Sequence, residues 1–94
     1  KLAAEQNDPD GQFNLGVCYF KGIGIEKNPQ LAFHFYKLSA EQNDSDAQFN
    51  LAWCYENGEG IEKNPELAFH FYKLAAEQGN SNAQCNLALC YIQG

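Results

Sequence analysis

The sequence predicts an all-α solenoid, and three observations predict it. The first is an internal repeat of 36 residues: Lys1-Leu2-Ala3-Ala4-Glu5-Gln6-Asn7 returns as Lys37-Leu38-Ser39-Ala40-Glu41-Gln42-Asn43 and again as Lys73-Leu74-Ala75-Ala76-Glu77-Gln78-Gly79. Residues 1–36 and 37–72 are identical at 27 of 36 positions, so the units are structural equivalents. The second is a helical apolar period with no stretch of period-two alternation. The third is a pair of helix-start signals in each unit. A repeat of this length marks units that bury their apolar faces only against their neighbours. The 94 residues amount to one array, residues 1–94, of about two and a half repeats: units 1–36, 37–72 and a partial 73–94. The chain opens inside the second half of a repeat and closes part-way through another, as a piece of a longer array would.

Each unit reads as two helices. Helix A starts at the N-caps Asp8, Asp44 and Asn80, whose side-chain oxygens can take an orphan backbone N–H. Pro9, Ser45 and Ser81 follow at the first helical position, where proline's missing N–H costs nothing. Gly22, Gly58 and Gly94 end helix A, because glycine adopts the left-handed conformation cheaply. Short loops follow, Ile23-Gly24-Ile25-Glu26-Lys27 and Glu59-Gly60-Ile61-Glu62-Lys63. Asn28-Pro29 and Asn64-Pro65 then start helix B, which runs to about Gln42 and Gln78. Lys1–Gln6 is the tail of an earlier helix B. On helix B, Leu31, Ala32, Phe35, Tyr36, Leu38, Ser39 and Ala40 cover one broad face with Phe33 at its edge. Gln30, His34, Lys37 and Glu41 hold the opposite pole. Such a helix is wedged between its own helix A and the next.

The formal charge is −6, and all six cations are lysines. With no basic stripe and no guanidinium, the chain lacks the means for phosphate and guanine contacts, which argues against nucleic acid. No apolar run approaches the ~20 residues of a membrane span, and no signal peptide is visible. Cys18, Cys54 and Cys90 share one repeat position. Equivalent helices lie roughly 9–10 Å apart, whereas a disulfide needs Cα atoms within about 7 Å. Cys85 and Cys90 point in different directions on one helix. The four cysteines are therefore expected to be free thiols packed as small apolar groups, which favours a reducing, cytoplasmic setting. Asn43-Asp44-Ser45 matches a glycosylation acceptor pattern once.

Ala47-Gln48-x-Asn50-Leu51-Ala52-x-x-Tyr55-x-x-Gly58-x-Gly60-Ile61 resembles the first half of a Sel-1-like repeat. Ala68-x-x-x-Tyr72-x-x-Ala75-Ala76-x-x-Gly79 resembles the second half. Residues 11–43 carry the same pattern, with Gly16 in the family's Leu-Gly pair. The resemblance implies right-handed superhelical α/α repeats, kin of tetratricopeptide repeats, and adaptor or scaffold work in multiprotein complexes. One branch of the family is secreted and clamps each repeat with a disulfide. Its cysteines fall at positions such as Ala40 and Gln48, and this chain departs from that branch there, so that branch's antibiotic-hydrolysing activity is not carried over.

Helix A has two unlike faces. Gln12, Leu15, Cys18, Tyr19 and Gly22 recur unchanged and lie within roughly 60° of Leu15. This uniform face is the packing face. Residues that change between repeats occupy the opposite pole: Phe13, Phe49 and Cys85; Val17, Trp53 and Leu89; Phe20, Glu56 and Ile92; Lys21, Asn57 and Gln93. A solvated face would be Lys, Glu and Gln, yet this one is rich in large apolar side chains. The resemblance implies that it lines a concave groove. The expected partner site is an apolar floor of Phe13, Val17, Phe20, Phe49, Trp53, Leu89 and Ile92, with Lys21 and Glu56 as polar selectors. Asn14, Asn50 and Asn86 form a ladder able to bond a peptide backbone or a neighbouring loop. The expected partner is a protein or peptide. The alternative is an architectural segment whose apolar face is covered by its own chain or, through the raw ends of the array, by a second copy.

No catalytic, cofactor or metal constellation emerges. His34 and His70 are repeat equivalents on the polar pole of helix B. Ser39, Ser45 and Ser81 have no histidine nearby. Gly22, Gly24, Gly58 and Gly60 end helices instead of opening one after a strand, and no Gly-Lys-Ser or Gly-Lys-Thr follows.

Overall fold

The computed structural model describes the backbone of residues 9–93 and the side chains of residues 10–88. Asp8, Gly94 and the Lys1–Gln6 helix tail lie outside the described residues, as do the side chains of Leu89, Cys90 and Ile92. Five α-helices follow one another: α1 (Pro9–Lys21), α2 (Pro29–Glu41), α3 (Ser45–Asn57), α4 (Pro65–Glu77) and α5 (Ser81–Gln93). The most extensive contacts are α1 with α2 and α3 with α4, the two helical hairpins; α2 against α3 and α4 against α5 join the layers. The stack measures 44 × 24 × 17 Å.

The predicted caps form where the sequence places them. Asn28 Oδ1 accepts the Leu31 N–H at 3.2 Å, and Asn64 Oδ1 accepts the Leu67 N–H at 3.1 Å. Asp44 Oδ1 takes the N–H groups of Asp46 and Ala47, and Asn80 Oδ1 takes that of Ala83. Gly22 and Gly58 sit at φ 72° and 69°, in the left-handed conformation expected of them. Their hairpin loops close identically: the N–H of Asn28 bonds the Tyr19 carbonyl and that of Asn64 the Tyr55 carbonyl, both at 2.8 Å. Helix B stops one residue earlier than expected, with Gln42 and Gln78 as C-caps. The left-handed residue beyond them is Asn43 in one repeat and Gly79 in the next.

The core follows the helix-B reading. Ala32, Phe33, Tyr36, Ser39 and Ala40 are buried, while Gln30, His34, Lys37 and Glu41 are exposed. Phe33, expected at the edge, is buried because the Tyr55 ring of the next layer meets it edge-on, centroids 5.3 Å apart. Tyr55 also stacks on Phe71 of its own layer, as Tyr19 stacks on Phe35. Aromatic contacts thus run both within and between repeats, adding attraction beyond the area they bury.

A repeating glutamine bridge supplements the apolar core. Gln42 Nε2 donates to Gln12 Oε1 and Gln78 Nε2 to Gln48 Oε1, each joining the start of helix A to the end of its own helix B. Gln48 Nε2 in turn donates to the Ala40 carbonyl of the preceding layer, as Gln84 does to Ala76. Gln12 and Gln48 are buried, so their partners are obligatory. Ala40 and Gln48 are also the positions where the resemblance places the cysteines of the disulfide-clamped branch. In this chain a hydrogen bond of 3.3 Å joins them instead.

Of the described cysteines, Cys54 is buried, Cys18 half-buried and Cys85 exposed. Cys54 fits the expectation of a packed thiol. Cys85 does not, because it occupies the Phe13/Phe49 position on the open side of α5. Burial, and then the Glu59 carboxylate, push the Cys54 thiol up to about 12. Burial, then the neighbouring Cys54 and more weakly Cys18, push Tyr36 up to about 12 against a hydrogen bond from Asn50 that pulls it down. Both groups hold their protons more tightly folded than unfolded. Their contribution is complete below the unfolded values of 9.0 and 10.0 and is lost as pH rises toward 12. Each unit of separation is worth about 1.4 kcal/mol. The urea midpoint should therefore fall between pH 9 and 12, and Cys54→Ala should flatten that fall. An equally steep fall in the variant would show that the thiol is not responsible.

Candidate functional site: a groove across the first helices of the repeats

On α3 the faces of helix A divide by burial as their residues divide by repetition, whereas on α1 Leu15, Cys18 and Tyr19 are half-buried like the varying residues. In the interior repeat the uniform Gln48, Leu51 and Cys54 are 3%, 1% and 1% exposed. On the opposite pole Phe49 and Trp53 are half-buried, and Glu56 and Asn57 are exposed. In the first repeat Phe13, Val17 and Phe20 are half-buried and Lys21 is exposed.

These side chains meet in one groove of about 530 Å³ that crosses α1, α3 and α5. Its floor is Phe13, Val17, Phe20, Phe49 and Trp53, with Lys21 beside them. The Phe20 and Trp53 rings stand at right angles with centroids 5.4 Å apart, so the two layers share a continuous aromatic floor. Phe13 tilts against Tyr36 at 5.8 Å, and Phe49 against Tyr72 at 5.6 Å. The floor residues thus pack partly on the core and partly on one another, and still leave the groove open.

Three site expectations need adjustment. Tyr36 of α2 also lines the groove. A helical wheel puts it in the broad buried arc of helix B and does not reveal that its ring passes under Gly16 into the space between α1 and α3. A Cβ on Gly16 would stand 2.9 Å from that ring; the second repeat carries Ala52 at this position, in the same buried cluster as Tyr72. The asparagine ladder is not uniform: Asn50 and Asn86 line the groove, whereas Asn14 is exposed outside it. Asn50 bonds the Tyr36 hydroxyl, a partner that is neither a peptide backbone nor a loop. Glu56 is not in the lining either; its carboxylate accepts the Tyr72 hydroxyl at 2.6 Å.

His34 and His70 are exposed on α2 and α4, each beside the phenylalanine that follows it. No helix among the described residues is long and apolar enough to cross a membrane.

Stacked helical hairpins with a groove across their first helices define a solenoid of the tetratricopeptide-like class. Within that class the chain belongs to the Sel1 repeat family, which matches residues 9–44, 45–80 and 81–94. A Sel1 repeat protein from Oxalobacter formigenes superposes with a TM-score of 0.92 at 40% identity, over 95% of this chain and 37% of that one. The c5321 protective antigen of uropathogenic Escherichia coli superposes at 0.89 with 42% identity, over 96% of this chain and 20% of that one. Cysteine rich protein B of Helicobacter pylori gives 0.84 at 28% identity, over 90% of this chain and 63% of that one. In sequence, 32 residues are 47% identical to the Arabidopsis thaliana protein HRD3B, an ERAD-associated E3 ubiquitin-protein ligase component. That match covers 34% of this chain and 5% of the relative. The chain therefore spans less than two thirds of the length of each of these relatives, from 5% to 63%.

Proposed function

We propose that the chain is a segment of a protein-interaction scaffold that holds a partner protein or peptide in the groove across α1, α3 and α5. Membership of the Sel1 repeat family, and the likeness of one repeat to a ligase component, support the scaffold role. One observation carries the finer reading: the groove is floored by large apolar residues at the positions the repeat leaves free to vary. A residue kept only for stacking would be the same in each layer. Its volume of about 530 Å³ suits a few side chains of an extended or helical segment. Trp53 at its centre is the anchor, as a rigid aromatic in a concave array suits a binding hot spot.

Trp53 is the single tryptophan of the chain, so its emission reports on the groove directly. Peptides selected from a displayed random library on the immobilised chain should shift that emission on titration. They should bind Trp53→Leu at least about tenfold more weakly, a loss in the hot-spot range. Leucine stands at this position in the third repeat as Leu89, so the substitution respects the repeat geometry. Peptides that bind the variant equally well would place the contact elsewhere.

A further inference from the structure

The charge of the groove differs from that of the chain, and the difference points to the chemistry of the occupant. The chain carries twelve Asp and Glu against six Lys. The groove lining contains no carboxylate and one cation, Lys21. Glu56, the acidic residue on the varying face nearest to joining it, is turned to the Tyr72 hydroxyl. Lys21 is exposed in the last turn of α1 and has no carboxylate partner among the described residues. Its ammonium is a charge beside an aromatic floor whose lining holds no carboxylate.

We propose, resting on the groove reading above, that the occupant is a protein segment pairing an aromatic or aliphatic anchor with an adjacent acidic side chain. The anchor enters the floor beside Trp53 and Phe20, and the carboxylate meets Lys21. Low-dielectric walls strengthen an ion pair formed at such a rim, and no fixed carboxylate competes for the ammonium. A basic segment would be less favoured at the groove: it would bring a second cation to Lys21 and find no carboxylate in the lining, with only the aromatic faces to attract it. The acidic exterior does not forbid an acidic ligand, since charges more than about 8 Å away are screened at physiological salt. The Asn86 amide in the same lining can bond the peptide backbone alongside.

The test is selection of a displayed random-peptide library in parallel on the native chain, on Lys21→Gln and on Lys21→Glu. Recovered peptides are then remade with each Asp or Glu replaced by Asn or Gln. On the native chain, enriched peptides should combine an apolar anchor with Asp or Glu, and the amide counterparts should bind roughly two- to fivefold more weakly. That preference should vanish in Lys21→Gln, shrink in high salt, and give way to Lys- or Arg-bearing peptides in Lys21→Glu. Circular dichroism on each variant verifies the helical fold. Peptides that need Trp53 but show no acidic enrichment, or an enrichment that survives Lys21→Glu, overturn this inference and leave the groove reading standing. Peptides indifferent to Trp53→Leu overturn both.

Discussion

Gly60→Ala should destabilise the array by roughly 2–5 kcal/mol, the sum of ~1–2 for an L-residue held left-handed and ~1–3 for overpacking. Gly60 sits at φ 76° in the loop after α3, and an added methyl would run into the Pro29 carbonyl of the preceding layer. Backbone is the obstacle, so no side-chain rotation relieves it. Gly24 holds the same repeat position at φ 70°, yet nothing lies within 4 Å of where its Cβ would be. Gly24→Ala should therefore cost only the conformational share, about 1–2 kcal/mol. Urea unfolding of the two variants separates the costs. Equal losses would mean that the loop of the second repeat does not rest on the start of α2.

The second large effect is expected at Leu51. Its side chain is 1% exposed and belongs to the core cluster that joins α2 to α3. Truncation to alanine removes apolar contact and leaves a cavity, at a cost of about 2–5 kcal/mol. Leu15 is the same residue at the same repeat position but only half-buried. Leu15→Ala should cost roughly half as much, since less transfer energy is lost and solvent can fill part of the space. For a chain of this size each kcal/mol moves the melting temperature by about 4–8 °C. Matching losses at the two sites would contradict the layered core.

Helix boundaries were legible because their signals are local. Asn-Pro and Asp/Asn-Ser satisfy orphan N–H groups whatever lies beyond, and Asn28, Asp44, Asn64 and Asn80 stand at the predicted caps. The two faces of helix A were legible because three copies compare one position under one geometry. Residues whose partners lie on another helix were not. Tyr36 lies in the buried arc of helix B by its spacing, and only the packing of α2 against both α1 and α3 brings its ring to the groove. Gln12 and Gln48 recur on the packing face, but recurrence does not disclose that they bridge to Gln42 and Gln78, each thirty residues on. Glu56 reads as a free charge until Tyr72 is brought to it. In each case the partner is distant in sequence and comes close only once the helices pack together.

The same logic explains the uneven cysteines. Cys18, Cys54 and Cys85 are all free, but their environments range from half-buried to buried to exposed. Cys54 lies on α3, packed between α2 and α4, and burial raises the cost of ionising its thiol; Cys85 stands at a different repeat position, that of Phe13 and Phe49.

Exchanging groove residues between repeats tests the division of helix A most directly. The double variant Phe49→Cys, Trp53→Leu gives the second repeat the residues that the third already carries as Cys85 and Leu89. Urea unfolding and peptide titration of this variant, beside Leu51→Ala, should dissociate. The exchange should lose less stability than Leu51→Ala, by at least ~1 kcal/mol, while peptide binding disappears. If instead it unfolds as readily as Leu51→Ala, or binds peptides as tightly as the native chain, then the varying face is the glue of the stack or plays no part in docking.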